Sequence, residues 1–89
     1  MEFDWDPAKA AANERKHGTP FVFATAVFMD SKFVDYDVSR PDDDEPRRKA
    51  AGVIKGKLFT VVYTLRGAVV RIISARRSNL QEVRRYGVR

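Results

Sequence analysis

Three kinds of side chain in this sequence suit chemistry on an anionic centre: cations that grip oxygens, a lone histidine, and a carboxylate beside a tyrosine. Arg71 and Arg76 lie in the run 69–77, with Arg77 directly after. A guanidinium stays charged at any relevant pH, and its planar fork can hold two phosphate oxygens. His17 is the only histidine. Its ordinary pKa lies near neutrality, which makes it a natural general base or acid. Glu82 and Tyr86, at i and i+4, share one helix face. Each has a plainer alternative: His17 as a simple cap at a helix C-terminus, Glu82 paired with Arg85, Tyr86 packed on a sheet. Lys16 beside His17 is either an anion contact or one more solvated helix lysine.

The elements that position these groups can be read from caps and periods. Asp6-Pro7 starts a helix, since Asp6 can accept from first-turn N–H groups and Pro7 sits where its missing N–H costs nothing. The helix runs to about Lys16 and stops at Gly18. Ala8, Ala11, Ala12 and Arg15, at i, i+3, i+4 and i+7, are its expected packing stripe. Thr19-Pro20 repeats the cap signal, and Phe21, Ala24, Thr25 and Phe28 form the inner face of a second short helix ending near Met29. From Lys32 the period becomes two, so Phe33 to Val38 reads as a half-buried strand. Residues 39–46 hold two prolines and four successive acids, and read as a solvated, mobile loop.

Three more strands follow, Arg47 to Ile54, Lys57 to Leu65 and Ala68 to Ala75. Lys55-Gly56 and Arg66-Gly67 separate them as two-residue hairpin loops. Ser78, with Gln81 three residues on, resembles a capping box opening a last helix to about Tyr86. The expected fold is therefore α+β: two N-terminal helices, a four-stranded antiparallel sheet and a C-terminal helix, in a single domain 1–89. With those loops, Tyr63 faces Val70 and Val61 faces Ile72 on an apolar face. Arg47, Lys49 and Arg71 gather on the other. Strict alternation places Arg71 and Arg76 on opposite faces, so both line one site only if the strand ends or twists near Ala75. Phe3 and Trp5 read as core or staple residues.

Composition narrows the classes. Eighty-nine residues bury only about 60 to 65% of their unfolded surface, which leaves little room for a deep cofactor pocket. There is no cysteine, so disulfide frameworks and thiol chemistry are excluded. The uncharged stretch from His17 to Met29 is shorter than the ~18 residues of a spanning helix. The acidic start Met1 to Asp6 is unlike a signal peptide, so a cytoplasmic location is expected. No P-loop, dinucleotide turn or His-Glu-x-x-His element is present. The acids Asp42 to Glu45 lack the spacing of a calcium loop, and neither a metal nor a cofactor is expected. Residues 1–45 carry charge −6 and residues 46–89 carry +11, a net +5. That asymmetry points to a polyanion, with nucleic acid first and an acidic protein second. A basic patch on an open sheet face suits RNA.

Three fragments then carry a resemblance: Phe3-x-Trp5-Asp6-Pro7-x-Lys9, Asn13-x-x-Lys16-His17-Gly18-x-x-Phe21, and Arg71-Ile72-Ile73-Ser74-Ala75-Arg76-Arg77 followed by Glu82 and Tyr86. Together, in this order, they resemble the BrnT family of type II toxins from Phe3 to Tyr86. The resemblance implies a bacterial ribonuclease with a RelE-like fold. It also implies inhibition by a BrnA-type antitoxin that binds operator DNA on its partner's behalf. Metal-independent cleavage by attack of the ribose 2′-OH needs proton carriers and cations for the phosphorane. The expected catalytic residues are Arg71, Arg76, His17, Glu82 and Tyr86, and the expected RNA contacts are Arg47, Lys49, Lys16, Arg66 and Arg77. One departure is Leu65, where many relatives carry Glu. The alternative is a non-catalytic module that binds nucleic acid or an acidic protein.

Overall fold

The computed structural model describes residues 1–87. Its elements are β1 (Glu2–Asp4), α1 (Pro7–His17), α2 (Phe21–Ala24), a 3-10 helix (Thr25–Met29), β2 (Val34–Asp37), β3 (Arg48–Ile54), β4 (Lys57–Arg66), β5 (Val69–Arg77) and α3 (Leu80–Tyr86). The sheet is five-stranded and mixed, in the order β1-β5-β4-β3-β2, not the expected four antiparallel strands. The additional strand is β1, which runs parallel to β5, with Phe3 opposite Val70 and Asp4 opposite Arg71. Three residues are too short for a period to show, and the pairing is non-local. Phe3 and Trp5 do pack on the core, through Phe28 and Phe21.

Asp6 caps α1 through its contact with the Ala8 N–H at 3.3 Å, and Gly18 closes it with φ 67° and an N–H to Glu14 O. The face that packs is not the alanine stripe, for Ala8, Ala11, Ala12 and Arg15 are all exposed. The helix docks instead through half-buried Ala10 and buried Asn13. β1 pairs with β5 only as far as Arg71. Beyond that point the Asn13 amide supplies the ladder that a strand would: Nδ2 donates to Ala75 O at 2.7 Å, and Oδ1 accepts from Ala75 N at 3.2 Å. A polar residue thus seats the helix on an open strand edge, which an apolar-stripe rule overlooks.

The second N-terminal helix is also tighter than expected. After four residues of α2 the chain turns 3-10, so the buried positions become Phe21, Ala24 and Val27 at intervals of three, and Thr25 is only half-buried. Pro20 is its N-cap, and Thr19 donates backward to His17 O at 3.4 Å. These side chains meet Ala50, Val61, Tyr63, Val70, Ile72 and Ala75 to form the core. Gly52 admits the 3-10 helix at close range: a Cβ there would lie 2.6 Å from Val27 O.

The Lys55-Gly56 hairpin has the expected loop, with both residues left-handed at φ 51° and 81°, as a type I′ turn requires. The next loop is Gly67-Ala68, not Arg66-Gly67, because Arg66 pairs with Val69. Only Gly67 needs a positive φ, of 60°, so Arg66 stays in its strand. The register consequently moves by two, with Tyr63 opposite Ile72, and by three beyond an extra residue in β5, with Val61 opposite Ala75. At the C-terminus Asn79, not Ser78, caps α3, and its box partner is Glu82, not Gln81. Ser78 instead shares a 2.7 Å hydrogen bond with Thr60.

Candidate active site

A single irregularity in β5 assembles the site. Tyr63 pairs with Ile72 while Val62 pairs with Ser74, so Ile73 is an extra residue and the strand bulges there. A bulge reverses the alternation beyond it and re-aims the side chains on its far side. Arg71 and Arg76 therefore share one face, against the expectation from strict alternation. Three rows cross that face. Asp4, Arg71 and Thr64 make one; Ser74, Val62, Lys49 and Tyr36 make the middle one; Arg76, Thr60, Ala51 and Val34 make the third. From Thr64 to Thr60 along β4 is roughly 14 Å at about 3.4 Å per residue.

Arg71, Arg47 and Arg66 lie at one end of this face, and the acidic loop folds onto them. Arg66 forks onto Glu45 at 3.1 and 2.8 Å. Asp43 sits 3.8 Å from Arg47, and Asp4 sits 3.3 Å from Arg71. The Arg66 guanidinium draws the Glu45 carboxyl below its usual range. The loop is thus neither fully solvated nor unanchored: the Asp43 side chain is only 9% exposed and accepts from Arg40 N at 2.7 Å. Thr64 holds its far end through Pro46 O at 2.7 Å. Each expected cation at this end already faces a carboxylate.

The other end is different, because two cations share one carboxylate. Arg76 Nη1 and Nη2 donate to the two oxygens of Glu82 at 2.7 and 2.9 Å, and Lys49 Nζ stands 4.0 Å away. Asn79 N adds a donor at 2.8 Å. Burial pushes the Glu82 carboxyl up, but the Arg76 fork and the Asn79 amide outweigh it, so the carboxyl titrates below its ordinary range. Tyr86 packs on the sheet through β2. It stacks on Tyr36 with centroids 5.3 Å apart, and the Arg85 guanidinium carbon stands 5.6 Å from its ring. Burial and hydrogen bonding to Tyr86 push the Tyr36 hydroxyl up to about 12, so it remains a proton donor at neutral pH. Tyr36, Gln81, Glu82, Arg85 and Tyr86 line an open cleft at this end.

The structure thus brings together Arg76, Glu82, Tyr86 and Lys49, with Arg71, Arg47 and Arg66 farther along the same face. His17 and Lys16 are exposed at the end of α1, and no contact among the described residues joins them to the cluster. Arg77 is exposed, alternates to the other side of β5, and gives its carbonyl to Arg76 Nη1 at 3.4 Å. Leu65 lies opposite Val70 on the same side of β4 as Tyr63, so it points away from the cluster, and it is 55% exposed at the hairpin end. Tyr36 is a site residue that sequence reasoning does not reach, since its alternation with Asp35 and Asp37 shows only which face it takes. A third network, Tyr63 donating to Asp35 with Arg48 forked on the same carboxylate at 3.0 Å, ties β2, β3 and β4.

A buried carboxylate forked by an arginine and near a lysine, beside two stacked tyrosines in an open cleft, is an arrangement that suits chemistry on a phosphodiester. The model of one family, the ribonuclease toxin BrnT of type II toxin-antitoxin systems, matches residues 5–82. The chain belongs to the BrnT family. Its members are ribonuclease toxins, and a type II system implies a cognate antitoxin and an RNA target. No curated protein matches the chain. The BrnT match ends at Glu82, so it takes in Lys49, Arg71 and Arg76 and stops short of Tyr86.

Proposed function

We propose that this BrnT-family chain cleaves RNA without a metal ion, at the end of the sheet face that carries Arg76. The observation that carries the reading is the fork of Arg76 on buried Glu82, with Lys49 and the Tyr36–Tyr86 stack beside it. In the reaction the 2′-oxygen bonds to the adjacent phosphorus as its proton passes to water. The bond from phosphorus to the 5′-oxygen breaks, leaving a 2′,3′-cyclic phosphate. Arg76 and Lys49 face the charge that grows on the phosphorane, where fixed cations act most strongly. Tyr86 gives its proton to the departing 5′-oxygen. Glu82 is a poor base here, since donors already occupy its oxygens and its carboxyl titrates low.

A BrnA-type antitoxin, itself the operator-binding component, silences the chain by covering Lys49 and Arg76 with acidic or aromatic side chains. The toxin acts in the cytoplasm, where its RNA lies. No described helix is long and apolar enough to cross a membrane. The test is an RNA-cleavage assay in EDTA, with product ends identified, of the wild type beside Arg76→Ala, Lys49→Ala and His17→Ala. Cyclic-phosphate ends that persist in EDTA and fall by about 100-fold or more in Arg76→Ala are expected. An Arg76→Ala variant as active as wild type sinks the assignment.

A further inference from the structure

Glu82 is the most constrained acidic group on the face. It is 9% exposed, yet it meets two guanidinium nitrogens, one ammonium and a backbone N–H. A carboxylate has two oxygens and about four acceptor positions, so these contacts leave little capacity to take a proton from a substrate. The same contacts fix Arg76 from behind. Both of its terminal nitrogens point at Glu82, which sets the plane of the guanidinium and the edge it turns to the cleft. Lys49 comes from β3 and Arg76 from β5, two strands apart. Only a group above the sheet can draw both together, and Glu82 projects from α3 to do so. We propose that Glu82 is a positioning residue that acts through Arg76 and Lys49, holding the two cations at the spacing of one phosphodiester, and that it carries no proton in the reaction.

This role for Glu82 rests on the RNA-cleaving function proposed for the chain. Its physical basis is that freezing a cation before the substrate arrives removes reorganisation from the reaction itself. α3 carries this carboxylate, which the Arg76 fork holds in place, and the same side chain separately closes the capping box of the helix. The Asn79 side chain accepts from Glu82 N at 2.9 Å, while the Glu82 side chain holds Asn79 N. The helix start and the cation pair are thus joined through one residue. The charged and titratable groups that face Glu82 are Arg76 from β5, Lys49 from β3, Tyr36 from β2 and, on its own helix, Tyr86.

The experiment is a double-mutant cycle with Glu82→Gln and Arg76→Ala, read as kcat, KM and pH–rate profile on a single-stranded RNA. Glu82→Gln is expected to lower kcat about 100-fold, the cost of roughly an ångström of misplacement, with a smaller change in KM. Placed in Arg76→Ala, the same substitution should cost less than about threefold, because neighbours in one network do not add. Protonating Glu82 releases the Arg76 fork, so the wild type should lose rate on the acid side, and Arg76→Ala should lose that acid limb. Asn79→Ala, which removes the other half of the cap and leaves the Arg76 fork, should lose a similar amount of Tm and retain cleavage.

Additive effects of Glu82→Gln and Arg76→Ala would overturn the proposal, as would an acid limb that persists in Arg76→Ala, which marks a proton carrier. Loss of cleavage in Asn79→Ala equal to that in Glu82→Gln would reduce Glu82 to a helix cap. If the wild type leaves RNA intact, the ribonuclease reading of this chain fails. The same cycle is then run on the affinity for a 2′-O-methyl RNA oligonucleotide, where coupling between Glu82 and Arg76 sustains the positioning role and additivity ends it.

Discussion

At the scale of single residues, the contrast between Glu82 and His17 separates a reactive group from a placed one. His17 has the right ordinary pKa but stands at a helix end without partners in the site. Glu82 has the wrong pKa for a base and the right place for an anchor. Its carboxyl titrates lower in the folded chain than in the unfolded one. Such a group stabilises fully above its unfolded value, about 4.3, and that contribution vanishes as pH falls through the folded value. Glu82→Gln should therefore melt well below wild type at pH 7, with the gap closing below about pH 4. Thermal melts from pH 7 to 3 check this, and a gap independent of pH would dissociate Glu82 from the Arg76 fork. Residue types were legible in the sequence, since Arg71, Arg76, Glu82 and Tyr86 stand out by chemistry and spacing. Partners were not: the pairing of Glu82 with Arg76 and Lys49, in place of Arg85, depends on which strand lies under α3.

At the scale of elements, two irregular contacts govern the site, and neither follows from a period. Asn13 replaces a strand along Ala75, so Asn13→Ala leaves a buried N–H and C=O unpaired. The expected cost is ~1–3 kcal/mol. For a domain of this size each kcal/mol lowers Tm by about 4–8 °C, which calorimetry measures directly. The Ile73 bulge is the second contact. Deleting Ile73 removes the extra residue but keeps Ser74 opposite Val62 and Arg76 opposite Thr60, so Arg71 and Arg76 still share a face in an unbulged strand. That deletion should therefore keep far more cleavage than Arg76→Ala in the RNA assay and cost some Tm, and a cleavage loss equal to that of Arg76→Ala would show that the bend itself aims the arginine. Adding one residue at Gly67-Ala68 should also be tolerated in the same two assays. The helices and hairpins were readable from caps, turn residues and alternation because those signals are local. β1, the bulge and the Asn13 clasp were not, because each is a contact between distant parts of the chain with no local signature.

At the scale of the whole molecule, the division of charge along the chain becomes a division across one face. The acidic first half supplies Asp4, Asp43 and Glu45, which stand against Arg71, Arg47 and Arg66 from the basic second half. Exposed pairs of this kind add little stability, but they decide how many cations are free to meet RNA. Asp43→Asn with Glu45→Gln should tighten RNA binding at low salt and steepen its fall with salt, by about 0.7 in the logarithmic slope per cation released. A titration series in rising potassium chloride tests this, and an unchanged slope would show that the loop leaves these arginines free. The distribution of aromatic rings has an optical consequence. Trp5, the only tryptophan, lies edge-on to Phe21 in the core, 5.9 Å between centroids, whereas the rings in the cleft are tyrosines. Selective excitation of the indole therefore follows unfolding. Two of the three tyrosines, Tyr36 and Tyr86, face the ligand's cleft while Tyr63 lies in the core, so a Tyr63→Phe chain would record stability and occupancy from one unlabelled sample.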